Sequence, residues 1–515
     1  MNKTDLHLMK KYLFALMAVF TSCVYRQSAQ LTPVSDIGLQ SVVVGVPSKY
    51  TGMFPAGKTL KIPTAYTVSV FHAGGLNKPR FLAFSPSGIL HVSDMDAGKV
   101  FALPDVDKDG IADARKEVAT GFSGNHDVKF FKNAMYVTEP TRIWKCTDLN
   151  NDGVYETKTI FISNLGSNQT NGHTTRTVVF DSINQKVYVS IGSSCNVCRE
   201  NTRAIIEEYD ENGTNRRVFA TGVRNAVGMS MHPVTNRLWA NNNGSDQQGN
   251  EIPPEWIDIV RENGFYGHPF AHSSGEWFNF NTGGYQSLLP ITAIDSAKVA
   301  TLVRPAALIR AHTAPMALQF LNPQFGTTMQ YGFLTALRGS WNTTSPNDFR
   351  GYKVIYGHLS SAQDTTVDYV SDFCSGFITD TINRIYWGRP VGIAVDSDGK
   401  VYVSSDEGNK FILVLTPDES VSVKEKKSPI DDFAKVFLNS ANNQVTLSVI
   451  LDKSTKVKAI LHDISGKVIR TLLDQELNAG ENEQKMDVND LTTGAYFVKI
   501  TAGQNSVTKK IVVVK

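Results

Sequence analysis

The chain has 515 residues, 41% of them hydrophobic and 19% charged, with a formal net charge of +2. That length exceeds one ordinary domain, and the apolar content excludes a disordered chain. The near-neutral balance excludes nucleic-acid binding driven by bulk charge, so any positive field has to be local. At the N-terminus, Lys10 and Lys11 precede the apolar run Tyr12–Phe20. This run is too short to span a bilayer and predicts a secretory signal peptide over residues 1–29. Phe20, Thr21 and Ser22 before Cys23 make an imperfect lipobox, so lipidation at Cys23 competes with plain cleavage near Ala29. Residues 30–60 read as an N-terminal extension.

From residue 61 to 418 one pattern recurs: an alternating apolar run, a turn, then a second alternating run ending in small or polar residues. The copies are Phe81–Asp94, Asp127–Glu139, Thr177–Ser193, Val227–Gly244, Met316–Ser340 and Val391–Gly408. Period-two alternation broken by Pro, Gly, Asn or Asp predicts β-hairpins. The first four copies start about 45 to 50 residues apart, a propeller-blade period. Wider later gaps hold insertions, including the stretch Pro253–Pro290. The expected fold is all-β, a six-bladed β-propeller; a sandwich or solenoid would not repeat one motif this way. The polar, charged segment 419–433 predicts a linker. Residues 434–515 predict a small Ig-like antiparallel β-sandwich, with turns at Gly466, Gly480 and Gly494.

In a propeller the entries to the innermost strands share one mouth of the central channel. Those positions carry Arg80, His126, His173 with Arg176, Arg224, His312 and Arg389. The loops after the second strands add Asp94, Asp96, Glu139, Ser193, Asn243-Gly244-Ser245, Arg338, Trp341 and Asp406. Such a basic funnel suits a compact, flat polyanion, because guanidinium groups pair carboxylates and aromatics stack on planes. His72, His268, His272 and His462 fall outside this register and are expected to be structural. Two loops alternate oxygen ligands before a Gly turn: Asp105, Asp107, Asp109 and Asp113, then Asp148, Asn150, Asp152 and Glu156. That is calcium-loop spacing, although Lys116 and Thr159 stand where a bidentate Glu belongs. The competing reading is an acidic solvated turn. Beyond Cys23 the cysteines are Cys146, Cys195, Cys198 and Cys374. An even number in an exported chain permits two disulfides, and a local Cys195–Cys198 bridge is the best single expectation.

Several motifs carry a resemblance: Gly172–Phe180, Val187–Cys198, Phe219–Gly228, Gly264–Pro269, Ala311–Pro315, Leu337–Asn342 and Trp387–Gly392. Together they resemble the pyrroloquinoline quinone (PQQ)-dependent sugar dehydrogenases of the soluble glucose dehydrogenase superfamily. The pyranose and sorbosone dehydrogenase branch is the most similar, over about Tyr66 to Pro417. The resemblance implies a secreted quinoprotein that oxidises a sugar at its anomeric carbon. It places Arg224, Asn225, Arg338 and Arg389 on the cofactor. Arg80, His126, His312 and Trp341 complete the cofactor-binding set from the funnel. It gives a catalytic Ca2+ to the carbonyl oxygens of Gly244 and Ser245, and makes His173 the general base that takes the hydroxyl proton as hydride leaves. There are departures. Ser193 stands where related glucose dehydrogenases carry the Asp that orients the base, Val227 replaces a Gln, and Arg338 replaces a Lys.

No cytochrome signature is present, so a separate electron acceptor, cytochrome or quinone, is expected. The tail segments His462–Arg470 and Leu491–Ile500, with the ending Lys509–Lys515, resemble a type A sorting domain of the type IX secretion system. This implies export by that machinery to the cell surface or beyond, a different address from lipidation. Two other functions compete: a lactonase-type propeller hydrolase using a channel metal, and a non-catalytic, carbohydrate-binding propeller that has lost cofactor chemistry.

Overall fold

The computed structural model describes residues 30–418 and 434–513, apart from 322–328, 345–347, 440–443, 452, 464–466, 489, 493 and 504. The expected signal peptide with Cys23 and the linker 419–433 lie outside the described residues. The chain divides into two compact units, Met1–Asp418 and Glu419–Lys515.

The first unit is built from a series of antiparallel sheets whose strands follow one another in chain order. The first sheet is Pro79–Phe84, Leu90–Asp94, Lys99–Leu103 and Lys116–Thr120. The second is Val128–Phe131, Ala134–Thr138, Ile143–Thr147 and Thr157–Ile162. The third runs Val178–Asp181, Lys186–Ile191, Ile205–Asp210 and Arg217–Thr221, with Gly264–Phe265 added in parallel. The fourth is Met229–Met231, Leu238–Asn242, Glu255–Ile259 and Ala307–Ile309. The fifth is Pro315–Phe320, Phe333–Leu337, Lys353–His358 and Tyr369–Cys374. The sixth takes three strands from the end of the unit, Gly388–Val395, Val401–Gly408 and Phe411–Pro417, and its outermost strand, Tyr66–Ala73, from the beginning. The first strand of each sheet lies against that of the next, and the sixth lies against the first, so the series closes on itself.

Closure decides where the core sits. Separate apolar clusters fill the gaps between successive sheets: Val100, Val118, Met135 and Val137 between the first and second, for example, and Trp239, Ile257, Phe333 and Ile355 between the fourth and fifth. Each sheet therefore buries both faces, and all of Leu90–Asp94 is buried although its sequence alternates apolar and polar. The polar ends of the second strands lace the sheets together. Thr138 Oγ1 donates to Arg176 O (2.7 Å), Asn241 Nδ2 to Met316 O (2.6 Å) and Ser404 Oγ to Arg80 O (2.6 Å), each across to the next sheet's inner segment. These buried groups would be costly unpaired, and each satisfies a carbonyl the neighbouring sheet leaves free.

The insertion after Glu255–Ile259 folds on its own small core of Val197, Phe265, Phe270, Phe278, Tyr285 and Leu288. It contains the helix α1, Ala293–Ala300, whose Thr292–Asp295 capping box satisfies its first turn. Val34 of the N-terminal extension bridges to Val370 of the fifth sheet, and Lys61 bridges to Ser375, just past that sheet's last strand.

The second unit holds two antiparallel sheets around one apolar core that includes Leu447, Val449, Val457, Leu461, Val498 and Ile500. One is Ala434–Asn439, Gln444–Leu451 and Gly480–Asp487; the other is Val468–Leu477, Thr455–His462, Gly494–Ala502 and Asn505–Val513. Among the described residues, no helix is long and apolar enough to cross a membrane.

Candidate functional site

The residues expected at the channel mouth fall into two buried groups. In the first, Arg80, Arg338 and Arg389 share two carboxylates. Arg80 Nη1 pairs with Asp406, and Arg338 Nε reaches both Asp406 oxygens at 3.0 Å. Arg338 Nη2 and Arg389 Nη1 meet on Glu407 Oε2, at 2.8 and 2.6 Å. Three guanidinium groups against two carboxylates leave an uncompensated positive charge. Burial pulls the Arg80 guanidinium below its ordinary value, with Asp406 opposing that shift. Arg389 also lies over the rings of Tyr352 and Tyr386. Arg80 Nε donates to His126 Nδ1 at 3.2 Å, which leaves the His126 proton on Nε2, buried and without a partner among the described residues. Arg176 is close enough to act on His126, which joins this group to the next.

The second group centres on His173. Its Nδ1 lies 2.9 Å from Ser193 Oγ and 3.1 Å from Ser193 O. Ser193 Oγ already donates to Cys195 O at 2.7 Å, and a carbonyl can only accept. Both partners of Nδ1 are therefore acceptors, so Nδ1 carries the proton and Nε2 the lone pair. Burial, then the charge of Arg224, push the imidazole down to about 3. It is neutral across the physiological range. Two buried arginines clamp the His173 carbonyl, Arg176 Nη1 at 2.8 Å and Arg203 Nη2 at 2.7 Å. Gly192 lies so close that a Cβ there would sit 2.6 Å from His173 Cβ and 2.7 Å from Asn225 Oδ1. Asn225 Oδ1 is buried and unpaired among the described residues.

Arg224 lies against the turn expected to hold a metal. Its Nη1 donates to Gly244 O at 2.6 Å, and Nε and Nη2 donate to Asn196 O (3.0 Å) and Oδ1 (2.9 Å). The Gly244 N–H donates to buried Glu255, whose carboxyl burial pushes up to about 7. Ser245 Oγ accepts from Tyr285 at 2.7 Å. Asp246 faces Arg224 Nη2 at 3.5 Å and His312 Nδ1 at 3.7 Å, so His312 joins this group. Its backbone φ of +60° is rare for a non-glycine residue. Trp341 does not join: its side chain is 73% exposed.

The sequence missed several members. Asn196 lies within the motif Val187–Cys198 and Glu407 within the last repeat copy, but these two, with Arg203 and Glu255, become visible as site residues only through their partners. His268, expected to be structural, lines the cavity beside Arg224, and its Nε2 is buried and unpartnered among the described residues. Asp94 and Glu139, expected at the mouth, instead accept backbone N–H groups of Lys78 and Ser123, both at 2.8 Å. Cys195 and Cys198 form the expected disulfide. The second disulfide does not form among the described residues: Cys146 and Cys374 are buried free thiols in the second and fifth sheets. In the two acidic loops, Asp105, Asp107 and Asp109 converge, as do Asp148, Asp152 and Glu156. Their oxygens largely serve loop N–H groups: Asp113 accepts from Val106 N and Asp148 from Gly153 N, while Asn150 donates to Asp152.

The TrAA12-like family model matches residues 60–264 and 265–417, and the model named secretion system C-terminal sorting domain matches residues 435–514. A PQQ-dependent pyranose dehydrogenase of Coprinopsis cinerea is 24% identical over 408 residues, 66% of this chain and 52% of that protein. The chain thus spans about half the length of that relative. An uncharacterised protein of Borreliella burgdorferi is 26% identical over 372 residues, 69% of this chain and 90% of its own. Among solved structures, the holo PQQ domain of the Coprinopsis pyranose dehydrogenase superposes with a TM-score of 0.57 at 21% identity, covering 72% of this chain and 98% of that one. The iodide structure of the Trichoderma reesei family AA12 enzyme gives 0.57 at 19% identity, covering 75% and 100%. The motifs, the closed series of sheets and the match over residues 60–417 agree, and the chain belongs to the TrAA12-like family, with a secretion system C-terminal sorting domain behind it.

Proposed function

We propose that this protein is an exported quinoprotein that oxidises a sugar with PQQ and Ca2+. The observation that carries this reading is a neutral, oriented imidazole, His173, linked through Arg176 and His126 to guanidinium groups that outnumber their carboxylates. The closed series of sheets is read as a six-bladed propeller over residues 61–418, with the two groups at one mouth of its channel. The two-sheet tail, residues 434–515, is read as an Ig-like sorting domain that delivers the protein to the type IX machinery after removal of the signal peptide.

The residues present fit the cofactor. Arg80, Arg338 and Arg389 carry the spare positive charge that a polycarboxylate would neutralise, and Asn225 Oδ1 and His126 Nε2 are buried polar atoms lacking a partner among the described residues. Gly244 O has spent one lone pair on Arg224 and keeps a second, so the Gly244 and Ser245 carbonyls would supply oxygen ligands for calcium. When bound, PQQ supplies a two-electron acceptor and calcium polarises it. The protein's own part is to hold the sugar hydroxyl against His173 Nε2, whose lone pair accepts the proton while the Nδ1–H stays on the Ser193 oxygens. The charge of Arg224 keeps that imidazole deprotonated and ready to accept. His173 would be the catalytic residue, and the sugar and its acceptor are separate partners.

The test is turnover. Full-length protein with PQQ and Ca2+ should reduce an artificial dye in the presence of an aldose. His173→Ala should lose on the order of 10²–10⁴-fold in kcat while still binding PQQ. Cofactor binding with no turnover on a broad panel of sugars would mark a non-catalytic binding propeller. Lactone hydrolysis that needs metal and no PQQ would mark a hydrolase.

A further inference from the structure

We propose that the disulfide loop Cys195–Cys198 is the positioning element of this site, orienting His173 through Ser193 and aiming Arg224 through Asn196. This inference rests on the PQQ reading above for the roles of the two residues it positions.

Four consecutive residues reach both halves of the second group. The Cys195 carbonyl accepts a hydrogen bond from the Ser193 hydroxyl (2.7 Å). That bond turns the Ser193 Oγ into an acceptor for the His173 Nδ1–H, beside the Ser193 carbonyl. Asn196 is the next residue. Its carbonyl and its Oδ1 accept two of the Arg224 donors, and its Oδ1 also accepts the Asp246 N–H at 2.8 Å. The Asn196 amide group returns the contact, donating to Asp246 O at 3.2 Å. Val197 is buried in the small core of the insertion beside Phe278 and Tyr285, and Tyr285 in turn bonds Ser245 and Asp246. The bridge from Cys195 to Cys198 closes the loop across these contacts. Glu200 holds its shoulder, accepting from the Ser194 N–H (2.6 Å) and hydroxyl (2.9 Å).

Without the bridge, the Cys195 carbonyl and the Asn196 side chain would sit on an open surface loop between Ile191 and Ile205, with the conformational freedom such a loop has. With it, one short covalent ring fixes the direction of a carbonyl and of an amide. Ser193 and Asn196 are accordingly positioning residues: each acts through the residue it holds.

The experiment separates the two arms in the full-length protein. The first readout needs no cofactor: the imidazole and guanidinium nitrogen resonances of His173 and Arg224. The second is PQQ affinity with kcat and KM of the loaded protein. Ser193→Ala should shift the His173 resonances and lower kcat about tenfold, leaving KM and PQQ affinity at wild-type values. Asn196→Ala should leave the His173 Nδ1–H tautomer unchanged, move the Arg224 resonance and weaken PQQ binding about tenfold. The paired substitution Cys195→Ala with Cys198→Ala should show both defects together. His173 and Arg224 resonances and PQQ affinity unchanged in the opened loop would overturn the proposal. If the opened loop fails to fold, the two single substitutions decide, and their defects appearing mixed rather than separate would equally overturn it. If the wild-type protein binds no PQQ, the functional reading falls, and the resonances alone still decide whether the loop positions both side chains.

Discussion

His173 is the residue on which the proposed chemistry turns, and its environment sets its protonation. Among the described residues Ser193, and no carboxylate, stands against its Nδ1. A carboxylate would fix the Nδ1–H tautomer and also raise the imidazole's affinity for a proton. Ser193 fixes the tautomer with two neutral oxygens and adds no negative charge, so burial and Arg224 dominate and the imidazole falls to about 3. The sign follows directly. A base whose folded value lies far below the ordinary 6.5 stays deprotonated as pH falls, and is lost only near that lower value. The kcat of the loaded enzyme should therefore show no acid limb attributable to His173 between about pH 5 and 8. A pH–rate profile with calcium and PQQ held saturating checks this. In Ser193→Asp, the added carboxylate should bring an acid limb up into that range.

The elements show which parts of the fold could be read from the chain. The hairpin copies appear where the repeats place them, because alternation and turn residues act locally. Their meaning changed, however. Alternation such as Leu90-His91-Val92-Ser93 suggests one wet face, yet both faces are buried because each sheet lies between two others. The polar positions serve the neighbouring sheet, as Asn241 illustrates. Its side chain donates to Met316 O at 2.6 Å and Thr335 Oγ1 at 3.0 Å, and accepts the Gly228 N–H at 2.8 Å. Asn241→Ala should destabilise the protein by about 1–3 kcal/mol, the cost of leaving buried groups unpaired. Equilibrium urea unfolding measures it, and the same change at exposed Asn212 provides the reference. At the site, residues at strand entries were legible because the repeat fixes their register. Glu407, Asn196 and Glu255 were not, because they enter as partners of residues 18, 28 and 11 positions away, and pairing over such sequence distances leaves no local pattern. The position of His268 could not be read for the same reason. It lies in the insertion, outside the repeat, and the fold alone brings it beside Arg224.

At the scale of the molecule, a nearly neutral chain concentrates positive charge at one place. Arg80, Arg338 and Arg389 are held by Asp406 and Glu407, two adjacent residues at the end of one strand of the sixth sheet. That sheet is also the one closed by a strand from the start of the unit, Tyr66–Ala73. The site's charged half thus depends on the same closure that completes the fold. The sorting domain is a separate unit with its own core, which fits a part that addresses the protein and takes no share in chemistry. The most direct test of the whole account is a calorimetric titration of the full-length protein with PQQ in the presence of Ca2+. The account predicts saturable binding, weakened at least about tenfold by Arg338→Ala or Arg389→Ala, each of which removes a charged partner for a carboxylate. An absence of binding, or binding indifferent to both substitutions, would contradict it.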